Sequence, residues 1–334
     1  MNFNQAIEAI ESAQQILLTT HVRPDGDAIG SMAALQRLIE QAAQKSGRPY
    51  RTQLLFLSRV PAHYRFLLAE EPWEVSNQID PQPIAAADLN SFDLIIVVDT
   101  NAVRQLPGLS DYLINHSERV LAIDHHLATD GIGAIRLIDP HMAALGEIIF
   151  KLALAADWPL DETAATALFV ALSTDTGWFR FENVSAQTYE IAGALVAAGA
   201  QPHLIFRKIF QQFPPARVKL LALTLQTLQM YCDDRLAVMH ITREMLIQSG
   251  ARRSHIENMV NEPQQIATVL VTVLLVEQDD NTTRVSFRSS GEVDVNKVAR
   301  QFNGGGHASA AGATVNLPLD DARSRIINAL TAVM

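Results

Sequence analysis

Cysteine is nearly missing from this sequence of 334 residues, where Cys232 stands alone. A disulfide scaffold is therefore excluded, and a reducing, cytoplasmic setting is expected. Long apolar runs are missing too: the stretch 266–276 is interrupted by Thr268 and Thr272 and is too short to cross a bilayer. The opening NFNQAIEAIESAQQ has neither the cationic start nor the apolar stretch of a secretory leader, so none is expected. Blocks of like charge are also absent. With 48% hydrophobic and only 19% charged residues, disorder is excluded for the bulk of the chain. The length exceeds what one typical core fills, so two domains are expected.

Positive charge is scarce, and unevenly so. The net charge of −10 lies in residues 1–212, with 14 Lys and Arg against 24 Asp and Glu; residues 213–334 hold 12 of each. Affinity for a polyanion comes mainly from Lys and Arg at phosphates, which excludes a general binder of long nucleic acid. The carboxylate excess reads either as a solvated acidic surface or as side chains converging on cations.

What is present is an alternation of short apolar runs and helical patterns. Strands are expected at 15–20, 52–57, 92–99 and 119–124, and helices at 28–43, 143–156, 163–174 and 187–200. The runs FDLIIVVD and RVLAID are continuously apolar, as strands buried on both faces are, and each closes on an Asp. This order argues for an α/β fold with an open, mostly parallel sheet flanked by helices. A Pro pair at 214–215 marks a change of composition, followed by a helix, by strands at 236–241, 266–277 and 283–288, and by helices at 293–302 and 319–334. Between the last two lies FNGGGHASAAG, the most glycine-rich stretch of the chain.

Ligands of open parallel sheets sit beyond the carboxyl ends of the strands. Clusters at 21–27, 99 and 124–126 are expected at that edge, and Asp175 follows another apolar run. HVRPDGD contains ordinary turn and capping chemistry, but His21, Asp25 and Asp27 also make a donor set for a divalent metal. Asp99 is costly at the end of a buried strand unless solvated, hydrogen-bonded or bound to metal. Adjacent His125 and His126 point in different directions, and Asp124 suits the second ring N–H of a histidine. His21, Asp25, Asp27, Asp99, His125 and Asp175 together suit two divalent cations, Mn2+ ahead of Mg2+. In the second half, Gly304, Gly305 and Gly306 admit a phosphate to backbone N–H groups. His307 adds a donor there and Arg288 a bidentate fork, with Asn303 a further contributor. Trp178 and Phe179 suit either core packing or base stacking, and Arg180 lies near them. Arg252 and Arg253 read as a solvated face.

The ordered series HVRPDGD, VVDT, DHH and STDTG resembles the DHH phosphoesterase family. SFRSSGEVDVNKVARQFNGGGHASAAG resembles its companion DHHA1 domain. Within that family the chain resembles the bifunctional oligoribonuclease and pAp phosphatase group, the nano-RNases. The resemblance implies a DHH catalytic domain at 1–190, a helical linker at 191–215 that lets the domains close over substrate, and a smaller α/β DHHA1 domain at 216–334. It assigns His21, Asp25 and Asp99 to one metal, and Asp27, Asp99, His125 and Asp175 to the other, with Asp99 bridging. His126 then faces the scissile phosphate, Asp124 orients a histidine, and Arg180, Arg288 and Gly304 to His307 hold substrate. MAALGE at 142–147 departs from the family by placing Ala and Leu where Ser or Thr is common, which is expected to alter packing rather than the metal site.

The implied activity is Mn-dependent hydrolysis of very short oligoribonucleotides to nucleoside monophosphates, and of adenosine 3′,5′-bisphosphate (pAp) to AMP. A homodimer is the implied assembly, with no membrane partner. Alternatives are a phosphodiesterase of linear or cyclic diadenylate and a non-catalytic nucleotide receptor. The receptor is disfavoured because every ligand position is filled. An inorganic pyrophosphatase would call for a basic second domain in place of GGGH.

Overall fold

The computed structural model describes residues 2–48, 51–68, 73–74, 86–127 and 130–334. The chain divides into two compact units, Met1–Gln212 and Phe213–Met334.

The first unit contains strands β1 (Gln15–Thr20), β2 (Arg51–Phe56), β3 (Trp73–Glu74), β4 (Leu94–Val98), β5 (Val120–Asp124) and β6 (Ile135–Ile138). They form one sheet in the order β3-β2-β1-β4-β5-β6, and every pairing is parallel. Its helices are α1 (Phe3–Ser12), α2 (Gly26–Ser46), α3 (Ala86–Leu89), α4 (Ser110–Asn115), α5 (Leu145–Ala155), α6 (Glu162–Asp175), α7 (Ala186–Ala197) and α8 (Pro202–Phe210). The strands are apolar throughout because both faces are covered. Ile16, Leu18, Ile96, Val98 and Ile123 enter one core, while Leu17, Ile95, Val97 and Val120 enter another. Strand order reverses between β1 and β4, and a crevice at such a reversal is where parallel sheets bind ligands.

Small residues set the helix spacing on the larger core. A Cβ at Gly30 would meet the Ala167 carbonyl of α6, and one at Gly26 would meet Thr174. A Cβ at Gly146 of α5 would likewise crowd the Ala171 methyl, at 2.9 Å. Asp25 caps α2 by accepting from the Ala28 N–H, and Gly47, in the left-handed region, ends it.

Of the segment 191–215 expected as linker, residues 191–212 fall in the first unit, and Ile191, Leu195, Ala200, Ile205 and Ile209 are buried in its core. One face of each helix makes the contact: Ile191, Ala192 and Leu195 of α7 and Ile205 and Ile209 of α8. Two expected positions also shift. Asp175 is the last residue of α6 and Asp27 the second of α2, so both are helix-borne rather than at strand ends.

The second unit holds α9 (Pro215–Gln226), β7 (Gln229–Tyr231), β8 (Leu236–Ile241), α10 (Arg243–Ser249), β9 (Val271–Glu277), β10 (Thr283–Ser289), α11 (Val295–Arg300), β11 (Gly305–Gly306), β12 (Ala310–Val315) and α12 (Leu319–Thr331). Its sheet has the order β11-β12-β10-β9-β8-β7, with β8 and β9 parallel and the other pairs antiparallel. The strand expected from 266 begins at Val271, because 259–265 is a 3-10 segment running into a turn. Among the described residues, no helix is long and apolar enough to cross a membrane.

Candidate functional site

The carboxyl ends of β1, β4 and β5 and the ends of α2 and α6 bring His21, Asp25, Asp27, Asp99, His125, His126 and Asp175 together. Three groups each place one donor atom per residue within 4.8 Å of the others: His21, Asp25 and Asp99; Asp27, His125 and Asp175; and Asp99, His125 and His126. Asp99 links the first and last of these. Its Oδ2 lies 3.6 Å from His21 Nε2, and its Oδ1 lies 3.5 Å from His125 Nε2. His125 Nε2 also lies 3.7 Å from Asp27 and 3.4 Å from Asp175.

Backbone groups fix both inward-facing imidazoles. His21 Nδ1 lies 3.0 Å from the Val22 carbonyl, and His125 Nδ1 lies 3.1 Å from that of Met142. A carbonyl only accepts, so the proton sits on Nδ1 and a neutral ring turns its Nε2 lone pair inward, as a metal ligand must. Asp27 is buried and accepts from Leu145 N at 2.6 Å, Gly146 N at 3.1 Å and Ser31 Oγ at 3.0 Å. The N-terminus of α5 thus steers that carboxylate, and the positive end of the helix suits its charge. Asp25 serves the cap of α2 and the cluster at once, so capping and metal binding are not alternatives for it.

Asp99 has φ of 60°, a left-handed conformation that Asp tolerates better than most residues. Its N–H pairs with the Ile123 carbonyl, which locks the turn to β5. Asp124, fully buried, accepts on Oδ1 from His126 Nδ1 at 2.8 Å and from the backbone N–H groups of His125 and His126. It therefore orients His126, while Met142 orients His125. His126 remains half-exposed.

Electrostatics mark the cluster as a cation site. Burial raises Asp25 and Asp27, and the charge of Asp99 adds to it. Burial likewise lifts Asp175 to about 6. Burial alone would lower His125, but Asp99, Asp27 and Asp175 outweigh it and carry the ring to about 10. Burial also opposes ionisation of Asp99, yet His125 and His21 hold it below the usual carboxylate range. His126 is raised chiefly by its hydrogen bond to Asp124. Carboxylates crowded this way repel one another unless a cation joins them. Asp99 Oδ1, buried and without a hydrogen-bond partner among the described residues, is the atom such an ion would satisfy. Contacts of 3.4–3.7 Å are long for hydrogen bonds. They match ligand atoms placed about 2.1 Å from a shared ion. The residues fit a divalent metal.

In the second unit, Arg288 on β10 pairs in register with Ala310 of β12. That pairing sets it beside the turn 307–310, which is closed by the His307 N–H on the Ala310 carbonyl at 2.7 Å. Arg288 donates to the Phe287 carbonyl and has no carboxylate partner among the described residues; burial lowers its pKa. Gly304 and Gly306 have packing reasons: a Cβ on the first would strike the Gly312 carbonyl and one on the second the Ala310 carbonyl. A Cβ on Gly305 would meet nothing within 4 Å. Asn303 takes a left-handed conformation after α11.

Arg180 is exposed and spends its Nε on the Gly177 carbonyl at 2.7 Å. Trp178 packs edge-on against Phe169, Phe206 and Phe210, and Phe179 stacks on Tyr189, so both rings are taken up by packing. Arg253 pairs with Asp279 at the surface. Sequence reasoning missed Met142, Leu145 and Gly146, whose contributions are backbone atoms. The segment 142–147, expected to bear on packing alone, is braced by Glu147, buried with Oε2 accepting from the Ala143 N–H.

Comparison with known proteins agrees with this anatomy. Residues 15–172 match the DHH family, N-terminal domain, and residues 233–334 match the DHHA1 domain. The bifunctional oligoribonuclease and PAP phosphatase NrnA of Thermus thermophilus is 28% identical over 98% of this chain and 91% of its own. The protein of that name from Bacillus subtilis is 28% identical over 93% and 92%. The crystal structure of an exopolyphosphatase-related protein from Bacteroides fragilis superposes with a TM-score of 0.83 at 24% identity, covering 99% of this chain and 95% of that one.

Proposed function

From the premise that this chain belongs to the DHH/DHHA1 phosphoesterases, a DHH family N-terminal domain followed by a DHHA1 domain, we propose that it hydrolyses very short oligoribonucleotides and pAp with two divalent cations, Mn2+ for preference. The observation that carries the reading is Asp99, whose two oxygens face separate donor groups and so suit a bridging ligand. His21, Asp25 and Asp99 would hold one cation, and Asp27, Asp99, His125 and Asp175 the other. When bound, the cations supply a water acidified toward neutrality and offset charge on the phosphoryl oxygens. His126, with Nδ1 held by Asp124 and its basicity raised, presents Nε2 to the phosphate as a hydrogen-bond or proton donor. Arg288, His307 and the exposed backbone at Gly305 and Gly306 bind a phosphate of the nucleotide, the Gly304 N–H being spent on the Ala299 carbonyl, and Arg180 adds a surface cation near Asp175.

The substrate class is supported by the two named relatives, each a bifunctional oligoribonuclease and PAP phosphatase aligned over nearly the whole chain. A diadenylate phosphodiesterase is the second reading, since the cyclic-di-AMP phosphodiesterase PdeA of Listeria monocytogenes is 24% identical over 97% of this chain. The complete donor set argues against a non-catalytic receptor. The test is a panel of pAp, RNA dinucleotides, linear and cyclic diadenylate and pyrophosphate, with and without Mn2+, products being resolved over time. Release of nucleoside monophosphates and AMP, lost on chelation, is expected; cleavage of pyrophosphate alone would overturn the proposal.

A further inference from the structure

Residues 176–184 follow Asp175 and are tied to the donor cluster at both ends. At the start, the N–H groups of Arg180 and Phe181 both donate to the Thr176 carbonyl, at 2.9 and 3.2 Å. At the far end, Asn183 Nδ2 donates to the Ala143 carbonyl at 2.9 Å, one residue from the Met142 carbonyl that orients His125. Between these anchors Gly177, Trp178 and Phe179 take successive left-handed conformations, with φ of 54°, 61° and 63°. Bulky residues adopt that region only at a cost, and such strain gathers at functional sites.

The turn has a consequence for three aromatic rings. It buries Trp178 against Phe169, Phe206 and Phe210, and stacks Phe179 on Tyr189. Phe181 instead lies across Gly177, where any Cβ would collide with its ring. It is 55% exposed and makes no ring–ring contact among the described residues. A flat apolar ring thus lies over the backbone of Gly177 with more than half its surface exposed, on a loop that begins at a candidate metal ligand. Its partner should be flat, tolerant of sequence and attached to a phosphate, which describes a nucleobase.

We propose that Phe181 is the stacking surface for the base next to the scissile phosphate, and so a specificity-determining residue; this rests on the phosphohydrolase reading above. The braced loop keeps the ordering cost of the contact low. Steady-state kinetics of the full chain with Mn2+ test it, using an RNA dinucleotide and its two analogues that each lack one base. Phe181→Ala should raise KM for the intact dinucleotide about tenfold. It should leave kcat within about twofold, and Phe181→Trp should restore KM. On one of the abasic analogues, wild type and Phe181→Ala should have equal KM. Unchanged KM on the intact dinucleotide, or the same loss on both analogues, overturns the assignment. If Phe181→Ala lowers the melting temperature, Phe181→Leu, which keeps apolar bulk over Gly177 without a π face, makes the same comparison. A wild type that cleaves neither short RNA nor pAp removes the function and this inference together. A wild type that cleaves them while Phe181 variants are indifferent removes only this inference.

Discussion

The donor cluster at the end of the first sheet and the glycine hairpin of the second are built in opposite ways. The cluster is largely buried and crowded with ionisable groups, and four of them are held by named partners: His21 by Val22, His125 by Met142, His126 by Asp124 and Asp27 by the N-terminus of α5. The hairpin is largely exposed and carries little beyond backbone groups and a histidine, with Arg288 of β10 beside it lacking a carboxylate partner among the described residues. The contrast separates two demands. Groups that must stabilise developing charge gain from burial and fixed geometry, whereas a surface that only holds a nucleotide gains from room to approach.

The sharpest way to test that division is to remove the residue placed between the two donor groups. Asp99→Asn keeps a side chain that tolerates the left-handed turn but halves its ligating capacity. Hydrolysis should fall by about 10³-fold or more, with metal affinity by titration calorimetry falling in parallel. Asp124→Asn should spare metal affinity, because its hydrogen bond goes to His126; kcat should drop about 10- to 100-fold. If metal is lost as well, Asp124 belongs with the ligands. Across the divide, Arg288→Ala should raise KM about tenfold and leave kcat and metal content alone. An effect on kcat would blur the division of labour.

The smallest effect divides the hairpin itself. Gly304→Ala should lower the melting temperature by several degrees, about 1 kcal/mol or more, because its methyl meets the Gly312 carbonyl. Gly305→Ala should leave the melting temperature unchanged and raise KM modestly. Equal melting temperatures for the two would mean that the crowding at Gly304 relaxes without cost.

The same contrast governs what could be read from the sequence. Strands β4 and β5 were legible because burial on both faces demands unbroken apolar runs, and each closes beside an Asp that has a use. Strand β6 (IRLI) is short and half-exposed, and β12 (AAGATV) is made of small residues that leave no apolar period, so neither stood out. The donor residues were recognisable by type and order. Their fastening was not, since Leu145 N and Gly146 N reach Asp27 from more than a hundred residues away through backbone atoms. Residues 191–215 were taken for connection because a composition change was visible at the Pro pair, while the packing of α7 and α8, within 191–212, was not.

The contact of α2 with α6 through Gly30 has a bearing on ion choice. Asp27 rides on one of these helices and Asp175 on the other, and backbone meets backbone between them with no side chain to give way. The gap between the two carboxylates is therefore a rigid gauge. First-row divalent ions are discriminated largely by fit rather than by raw affinity, so that helix spacing would bear on which ion such a site accepts as much as the ligands do. A methyl group at position 30 would reset the gauge while leaving every ligand in the sequence untouched.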